Sequence, residues 1–311
     1  MKHLFIINPV AGGYDHTPEL KEKIDKAFSE CPSGIGEYEI YLTKGPMDAA
    51  EEIKRRSLAA PEEEMRVYAC GGDGTFNECV CGAAKLKNVA VVPCPVGTGN
   101  DMCRMFGEEA PLFLNLPALI RGSVHPIDLI DCNGRYSANI CSVGIDARVG
   151  TNVHKYTSIP FISGSGAYIL STIVEVLRGI SMRMKVDCGD YHADRKHTMV
   201  CVCNGRFYGG GYNPVPGAMP DDGILDILVV QKVSLFKLAA VIGKYAAGKG
   251  DDYPEIITHV KGTAVDIELD KETVVNIDGE AIHAKSIHME LVPGALNFIV
   301  PEGMKFFEAE A

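Results

Sequence analysis

Two glycine-rich segments, each placed directly after an apolar run, carry the residue types that bind phosphate and magnesium. The first is Gly71-Gly72-Asp73-Gly74-Thr75, and the second is Gly97-Thr98-Gly99-Asn100-Asp101. Glycines let the backbone approach a phosphate closely, and a helix that follows offers free N–H groups and a positive dipole end. Asp73 supplies a hard oxygen ligand of the kind that Mg²⁺ prefers. This pattern predicts a site for a nucleotide phosphate.

A third glycine turn, Asn8-Pro9-Val10-Ala11-Gly12-Gly13, follows the first apolar run. In a parallel sheet the loops after the carboxyl ends of the strands meet at one edge, and ligands bind there. A structural turn explains one glycine pair equally well, whereas three such loops, two of them with an aspartate, favour a nucleotide site. The sequence has no GxxxxGK[ST] pattern, which excludes a P-loop protein.

The elements that would position these loops alternate between strand and helix patterns. The predicted strands are Leu4–Ile7, Tyr38–Leu42, Arg66–Ala69 and Val89–Val92, and the predicted helices are Pro18–Phe28, Met47–Arg56 and Thr75–Ala84. Such alternation predicts a parallel sheet with helices on its faces. After about residue 124, short Val- and Ile-rich runs bounded by Gly, Asn or Asp predict antiparallel sheets. We therefore predict an α/β domain at 1–124 and a mainly-β domain at 125–293.

Composition and charge limit the classes of partner. The chain has 311 residues, of which 46% are hydrophobic, and a formal net charge of −11. Such a composition is typical of a globular protein of about two domains, and the acidic excess argues against a nucleic-acid partner. The eleven cysteines are an odd number set in apolar runs, and Leu4–Ile7 is too short for a signal peptide. We expect a cytoplasmic protein.

One longer apolar stretch, Ile159–Leu177, is interrupted by serine and glycine. A membrane-spanning helix needs about 20 apolar residues, so this stretch predicts a helix from about Ser165 that packs on the β domain. Its apolar edge could alternatively contact a lipid.

The order and spacing of the motifs resemble the catalytic domain of diacylglycerol kinases and sphingosine kinases, and most closely their soluble bacterial branch. The Gly71-Gly72-Asp73-Gly74 element alone would not separate this family from NAD kinases and phosphofructokinases. Further motifs extend the resemblance over nearly the whole chain, at Ile127-Asp128, Gly144-Ile145-Asp146-Ala147, Asn204-Gly205, Gly209-Gly210-Gly211, Pro220-Asp221-Asp222-Gly223-Ile224-Leu225-Asp226 and Asn276-Ile277-Asp278-Gly279-Glu280.

The resemblance implies a two-domain lipid kinase that binds ATP and Mg²⁺ in an interdomain cleft. The first domain would be an NAD kinase/phosphofructokinase-like parallel α/β domain, to which the chain end, 294–311, returns. The second would be an antiparallel β-sandwich that takes the lipid. The implied nucleotide contacts are Asn8, Gly12, Gly13, Thr43, Gly71, Gly72, Asp73, Gly74, Thr75, Asn77, Glu78, Gly97, Thr98 and Asn100.

Two metal sites are implied by the same resemblance. Asp73, Asp101 and Asp128 match acidic residues that the family links near the phosphates through Mg²⁺ and water. Met219, Asp222 and Ile224 match a second, structural Mg²⁺ site of the family. Its ligands would be the carboxylate of Asp222 and the backbone carbonyls of the other two residues. A type I turn at Pro-Asp-Asp-Gly is the alternative explanation of that second motif.

The segment Asp278-Gly279-Glu280 matches the acidic pair that is catalytic in the family. A lipid hydroxyl that attacks the γ-phosphate must lose its proton, and a carboxylate within reach can accept it. Without the family, Asp278-Gly279 would be interpreted as a hairpin turn.

The leading prediction is therefore an ATP-dependent kinase of a diacylglycerol-like or sphingoid-like lipid. Contact with a membrane would be peripheral and transient, and self-association into a homodimer stays open. One alternative is an NAD kinase-like enzyme, which shares the Gly-Gly-Asp-Gly element. The other is a nucleotide-binding regulator without turnover. Such a regulator would lack one or more of the acidic residues of the family, whereas this chain has all four, Asp73, Asp101, Asp278 and Glu280.

Overall fold

The computed structural model describes residues 1–11, 14–32, 34–96, 100–150, 174–176 and 178–308. Four of the predicted nucleotide contacts lie outside these residues, namely Gly12, Gly13, Gly97 and Thr98, as does most of the helix predicted from about Ser165. The chain divides into two compact units. Unit 1 comprises Met1–Leu129 and Pro293–Ala311, and unit 2 comprises Ile130–Val292.

Unit 1 is an α/β unit in which β1 pairs in parallel with β2 and β3, and β3 pairs in parallel with β4. An α/β region at the N-terminus is what the sequence predicted. The elements in chain order are β1 (Lys2–Ile7), α1 (Thr17–Glu30), β2 (Glu37–Leu42), α2 (Asp48–Ala59), β3 (Met65–Gly71), α3 (Asp73–Ala83), β4 (Val89–Pro95), α4 (Asp101–Arg104), a 3₁₀ helix (Gly107–Leu114) and α5 (Leu116–Ile120).

The burial of these elements follows from their sequence patterns. Five consecutive residues of β1 are buried, as expected for a strand of a parallel sheet that is covered on both faces. Helix α1 buries Leu20, Ile24 and Ala27, which are spaced by four and three residues and therefore share one face. The apolar strands form the interior, and the loops that follow them are left at the edge of the sheet.

Unit 2 is β-rich, as the sequence also predicted, and its strand pairs are antiparallel. Its strand order is β11-β10-β9-β7-β12-β13, with β8 paired to both β9 and β12. The elements in chain order are β5 (Ser123–Cys132), β6 (Arg135–Ser137), β7 (Ile140–Gly144), β8 (Met182–Cys188), β9 (Tyr191–Cys203), β10 (Leu225–Gln231), α6 (Leu235–Tyr245), a 3₁₀ helix (Gly250–Asp252), β11 (Ile257–Gly262), β12 (Ala264–Ile277) and β13 (Glu280–Val300).

Two apolar cores lie on opposite faces of this sheet. Along β10, Ile227 and Val229 belong to one core, while Leu228 and Val230 belong to the other. This division follows from the alternation of side chains along a strand. The second core also includes Tyr245 of α6, so that helix covers one face of the sheet.

The boundary between the units differs slightly from the predicted one. Unit 1 extends to Leu129 rather than to residue 124, and both positions lie within β5. The returning segment begins at Pro293, within β13. That strand pairs antiparallel with β12 in unit 2, and its Asn297 and Phe298 pair in parallel with β4 in unit 1. No helix among the described residues is both long and apolar enough to span a bilayer.

Candidate active site

The loops after β1, β2 and β3 are hydrogen-bonded at the carboxyl edge of the unit 1 sheet. The Asn8 amide nitrogen donates to Thr75 Oγ1 at 3.4 Å, and the Asn8 backbone N–H donates to the Cys70 carbonyl at 3.2 Å. The backbone N–H of Thr43 donates to the Ile7 carbonyl at 2.9 Å. Three of the predicted nucleotide contacts are thereby brought to one edge.

The Gly71-Gly72 turn leads directly into α3, which begins at Asp73. A Cβ atom at Gly71 would overlap Thr75 Oγ1, so the turn requires glycine at this position. Gly72 is the N-cap residue and has no side chain that could accept the first N–H groups of the helix. A helix N-terminus left open in this way favours a bound phosphate.

The loop after β4 is joined to the loop after β3 through two aspartates. Asp73 Oδ1 accepts the backbone N–H of Asp101 at 2.8 Å, and the N–H of Val96 donates to the Gly71 carbonyl at 3.3 Å. Arg104 Nε lies 3.5 Å from Asp101 Oδ1. Two of the three carboxylate residues expected near Mg²⁺, Asp73 and Asp101, are thus in direct contact.

Asn100 adds a buried donor beside these aspartates. Its residue is only 7% exposed, and its Nδ2 has no acceptor among the residues that the structure describes. A buried N–H group without a partner costs free energy, and a phosphate oxygen would satisfy it. The donor set at this edge therefore fits a nucleotide phosphate, and the aspartates fit a hard cation.

Three other predicted residues lie in different surroundings. Asp128 is buried in β5, where its Oδ1 accepts the N–H of Gly294 at 2.7 Å and so ties β5 to the returning chain. Asn77 is fully buried on α3, and its amide oxygen accepts the Cys81 thiol at 3.8 Å. Glu78, the next residue of α3, is partly buried.

A protein-only cage for a metal is absent from the described part of the chain, which holds no group of three or more His, Cys, Asp or Glu side chains suited to one ion. Mg²⁺ usually keeps several waters and takes one or two protein carboxylates together with substrate phosphates. A cation at Asp73 and Asp101 would therefore take its other ligands from phosphate oxygens and water.

In unit 2, Asp278 and Gly279 form the turn between β12 and β13. Their φ angles are 49° and 93°, and Ile277 pairs with Glu280. A two-residue loop with positive φ at both positions is a type I′ hairpin turn, for which Asp-Gly is a preferred sequence. The hairpin interpretation of the backbone is confirmed, and it leaves a chemical role for the carboxylates open.

The Asp278 carboxylate is held by four hydrogen bonds. Its Oδ1 accepts Ser137 Oγ at 2.7 Å and the N–H groups of Ile140 at 2.8 Å and Asn139 at 3.2 Å, while its Oδ2 accepts the N–H of Ala138 at 2.8 Å. Sequence reasoning missed this connection, because no local pattern links Asp278 to residues that precede it by 138 to 141 positions. Asp278 therefore fixes the hairpin turn to the segment between β6 and β7.

Glu280 differs from Asp278 although only one residue separates them. Its side chain is partly buried, and within the described residues no donor reaches its carboxylate. Of the two carboxylates, Glu280 is thus the one with oxygens available to accept a proton.

The second predicted metal motif forms a turn before β10. Asp222 Oδ1 accepts the N–H of Ile224 at 2.9 Å, and Gly223 has a φ of 75°. Arg206, which sequence reasoning did not single out, donates to Met219 Sδ at 2.9 Å and to the Ala218 carbonyl at 2.8 Å. These contacts account for the turn without an ion, and the structural Mg²⁺ stays a prediction.

Family models match nearly the whole chain. The diacylglycerol kinase catalytic domain matches residues 2–132, and the YegS C-terminal NAD kinase beta sandwich-like domain matches residues 139–300. The chain belongs to the diacylglycerol kinase family, in its YegS-like branch. The family membership predicted from the motifs is confirmed, and with it the chain is placed among kinases.

Individual relatives agree with this assignment. A protein of Shewanella frigidimarina named "Probable lipid kinase YegS-like" is 26% identical over 260 residues, which is 82% of each chain. A crystal structure of a "putative diacylglycerol kinase" from Bacillus anthracis is 28% identical, with a TM-score of 0.74 over 97% of this chain and 98% of that one. Yeast NADH kinase with bound NADH shares the fold alone, at 10% identity and a TM-score of 0.50 over 99% of this chain and 86% of that one.

Proposed function

We propose that this family member is an ATP-dependent kinase that transfers the γ-phosphate of ATP to a hydroxyl group of a diacylglycerol-like or sphingoid-like lipid. The observation that carries the proposal is the hydrogen bond from the Asp101 N–H to Asp73, which joins two glycine loops into one edge suited to phosphate and Mg²⁺. The lipid acceptor is supported by the names of the relatives, which are "Probable lipid kinase YegS-like" and "putative diacylglycerol kinase".

The nucleotide would be held by unit 1. The N-terminus of α3 and the buried amide of Asn100 offer N–H groups to phosphate oxygens, and Asp73 and Asp101 offer oxygen atoms to the cation. When bound, Mg²⁺ neutralises charge on the phosphoryl group, and in a loose transition state this neutralisation supplies much of the acceleration.

The proton of the lipid hydroxyl would be accepted by Glu280. A general base needs a lone pair within hydrogen-bond reach of the proton that it removes. Asp278 already accepts four hydrogen bonds, so we assign it a positioning role that holds the turn on which Glu280 follows. Both members of the predicted acidic pair are needed under this assignment, for different reasons.

The test is incubation of the purified protein with ATP and Mg²⁺ in parallel with dispersed diacylglycerol, sphingosine, a total lipid extract or NAD, followed by mass spectrometry of the products. We expect a phosphorylated lipid and unchanged NAD. Phosphate on NAD and on no lipid would support the NAD kinase alternative instead. ATP binding without turnover in every arm would support a regulator.

A further inference from the structure

Helix α6 (Leu235–Tyr245) exposes apolar side chains to an unusual degree. Phe236 is 88% exposed, Leu235 47% and Ile242 37%. This one helix thus carries three of the ten exposed large hydrophobic residues of the described chain. The opposite side of the helix is anchored, since Val241 and Tyr245 are buried in the second core of unit 2. The helix is therefore fixed to the sheet by one face and leaves another apolar face uncovered.

The helical repeat places the exposed apolar residues on one continuous arc. At 100° per residue, the arc runs around the helix in the order Ile242, Leu235, Ala239, Phe236 and Ala240. All of these positions are exposed. The arc spans roughly 160°, which is the width of an apolar face that is normally covered.

Lysines border this arc. Lys237 and Lys244 are seven residues apart, so they lie on the same side of the helix, next to the apolar arc and away from Leu235 and Ile242. Over residues 231–250 the chain has four lysines and no aspartate or glutamate, in a protein whose net charge is −11. Lys237 lies 3.5 Å from Glu255, but both side chains are about half exposed, so this pair neutralises little.

We propose that α6 docks the protein on a bilayer that contains anionic phospholipid, with Phe236 inserted at the level of the headgroups and Lys237 and Lys244 facing the lipid phosphates. An exposed apolar face with lysines at its border is the arrangement that binds a membrane interface. The proposal rests on the proposed function for its purpose, because a kinase of a bilayer lipid must reach that lipid. The helix also explains how a chain of net negative charge approaches an anionic surface.

A second copy of the chain is the competing occupant of the same face. A two-fold pairing of α6 with its copy would bring the same surface of both chains together, and with it the same lysines. Like charges at such an interface oppose association, whereas lipid phosphates attract them. The charge of the helix border therefore favours the bilayer.

Insertion can be observed directly because the chain contains no tryptophan. In Phe236→Trp the single indole reports on α6, and on addition of vesicles of phosphatidylglycerol and phosphatidylcholine we expect a blue shift and quenching by brominated lipid. Leu58→Trp is the matched control, since Leu58 is 76% exposed on α2 of unit 1. An unchanged spectrum for Phe236→Trp while the protein sediments with the vesicles would overturn the proposal.

Vesicle sedimentation separates the apolar and the charged contribution. Phe236→Ser should weaken binding about tenfold, as expected for withdrawing one aromatic side chain from a membrane interface. Lys237→Gln and Lys244→Gln should each weaken binding about fivefold on anionic vesicles, and both effects should shrink in high salt. Lys21→Gln with Lys23→Gln on α1 is the charge control, because these lysines stand among acidic residues, and it should bind like the unchanged protein.

The outcomes distinguish this inference from the proposed function. Vesicle binding that depends on Phe236 and Lys244, without phosphorylation of any lipid, would support docking and contradict the kinase proposal. Phosphorylation of lipid in detergent micelles, with vesicle binding unaffected by the α6 variants, would contradict docking and leave the kinase proposal intact. A dimer in solution that Phe236→Ser dissociates, without vesicle binding, would assign the face to a second copy.

Discussion

Asp278 and Glu280 show how two carboxylates on one turn can take different roles. The Asp278 carboxylate accepts four hydrogen bonds from the segment between β6 and β7, whereas no donor among the described residues reaches Glu280. Hydrogen bonds of this number hold a carboxylate in place and occupy the lone pairs that a base would use. The different roles of these two carboxylates therefore follow from their hydrogen-bonding environment and not from the residue type.

Substitution of each residue should therefore give a different pattern. Glu280→Gln should lower turnover by about 10²–10⁴ and leave ATP affinity and thermal stability nearly unchanged. Asp278→Asn should lower both turnover and stability. The NH₂ group of the new amide would face a donor that the carboxylate accepted, at a cost of about 1–3 kcal/mol. Turnover, ATP titration and melting curves measure these effects. Near-normal turnover in both variants would refute the assignment of the acidic pair.

Asp73 is assigned to the binding of Mg²⁺ and ATP, and not to the acceptance of the proton. In Asp73→Asn the amide oxygen can still accept the N–H of Asp101, so the loops should keep their contact while the negative charge is lost. We expect Mg²⁺-dependent ATP binding and turnover to fall together, measured by calorimetric titration with Mg²⁺ and with chelator. Asp270→Asn, at an exposed position of unit 2, is the control and should change neither. Loss of turnover with full Mg²⁺-dependent affinity would contradict this role.

At the scale of elements, the turn between β3 and α3 leaves no space for a side chain. Gly71→Ala would force its Cβ against Thr75, and the first turn of α3 would have to move. ATP affinity should fall by tenfold or more, since a loss of about 1.4 kcal/mol of binding free energy already has this effect. Gly45→Ala, in an open loop of the same unit, is the control and should bind ATP normally. Equal affinities in the two variants would exclude a role for the turn.

The pairing of β10 with β11 contains a titratable contact. His259 Nε2 lies 2.6 Å from Asp226 Oδ1 and Nδ1 lies 3.0 Å from Asp251 Oδ1, and the hydrogen bond with Asp226 above all raises the pKa of His259 over its ordinary value of 6.5. A histidine with a raised pKa stabilises the folded protein below its unfolded pKa, and this contribution is lost as the pH rises through the folded value.

The loss of free energy of unfolding on His259→Gln should therefore be larger at pH 6 than at pH 8.5. Urea unfolding of both proteins at the two pH values measures it, and the comparison with the unchanged protein cancels the titration of other groups. A loss that is the same at both values, or larger at pH 8.5, would show that the charged histidine does not contribute.

Local patterns were sufficient for some elements and not for others. The predicted strand Leu4–Ile7 lies within β1, because it is a continuous apolar run. The helix predicted at Pro18–Phe28 lies within α1, because its apolar residues are regularly spaced. Helix α6 was missed, although its apolar residues follow the helical period as clearly as those of α1. Of β13, only the part in the returning chain end, 294–311, was anticipated, since Pro293 and Gly294 resemble the end of a strand.

The candidate site shows the same division. The glycine loops were found because their chemistry is contained in short segments. The partners of Asp278 precede it by 138 to 141 residues, so no local pattern connects them. Likewise, the anchoring of Asp128 by Gly294 spans 166 residues and depends on the path of the returning chain.

On the scale of the molecule, the end of β13 completes the core of unit 1. Phe298 is fully buried, and its ring lies 5.8 Å from that of Phe106 and 6.1 Å from that of Phe113. Phe298→Ala should lower the free energy of unfolding by about 3–5 kcal/mol. Phe236→Ala removes the same ring from an exposed position and should change it by less than about 0.5 kcal/mol. Denaturant unfolding compares the two, and similar losses would contradict the structure of this core.

The path of β13 also has a consequence for how the protein is made. Among the residues that the structure describes, strand β4 has β3 on one side and obtains its other neighbour from Asn297 and Phe298. A ribosome adds about 5–20 residues each second, so the strand Val89–Pro95 waits for roughly ten seconds or more before its neighbour emerges. During that interval an apolar strand has an unpaired edge, the feature that promotes aggregation of nascent chains. Synthesis of this protein should therefore depend on chaperones that protect the first unit until translation reaches β13.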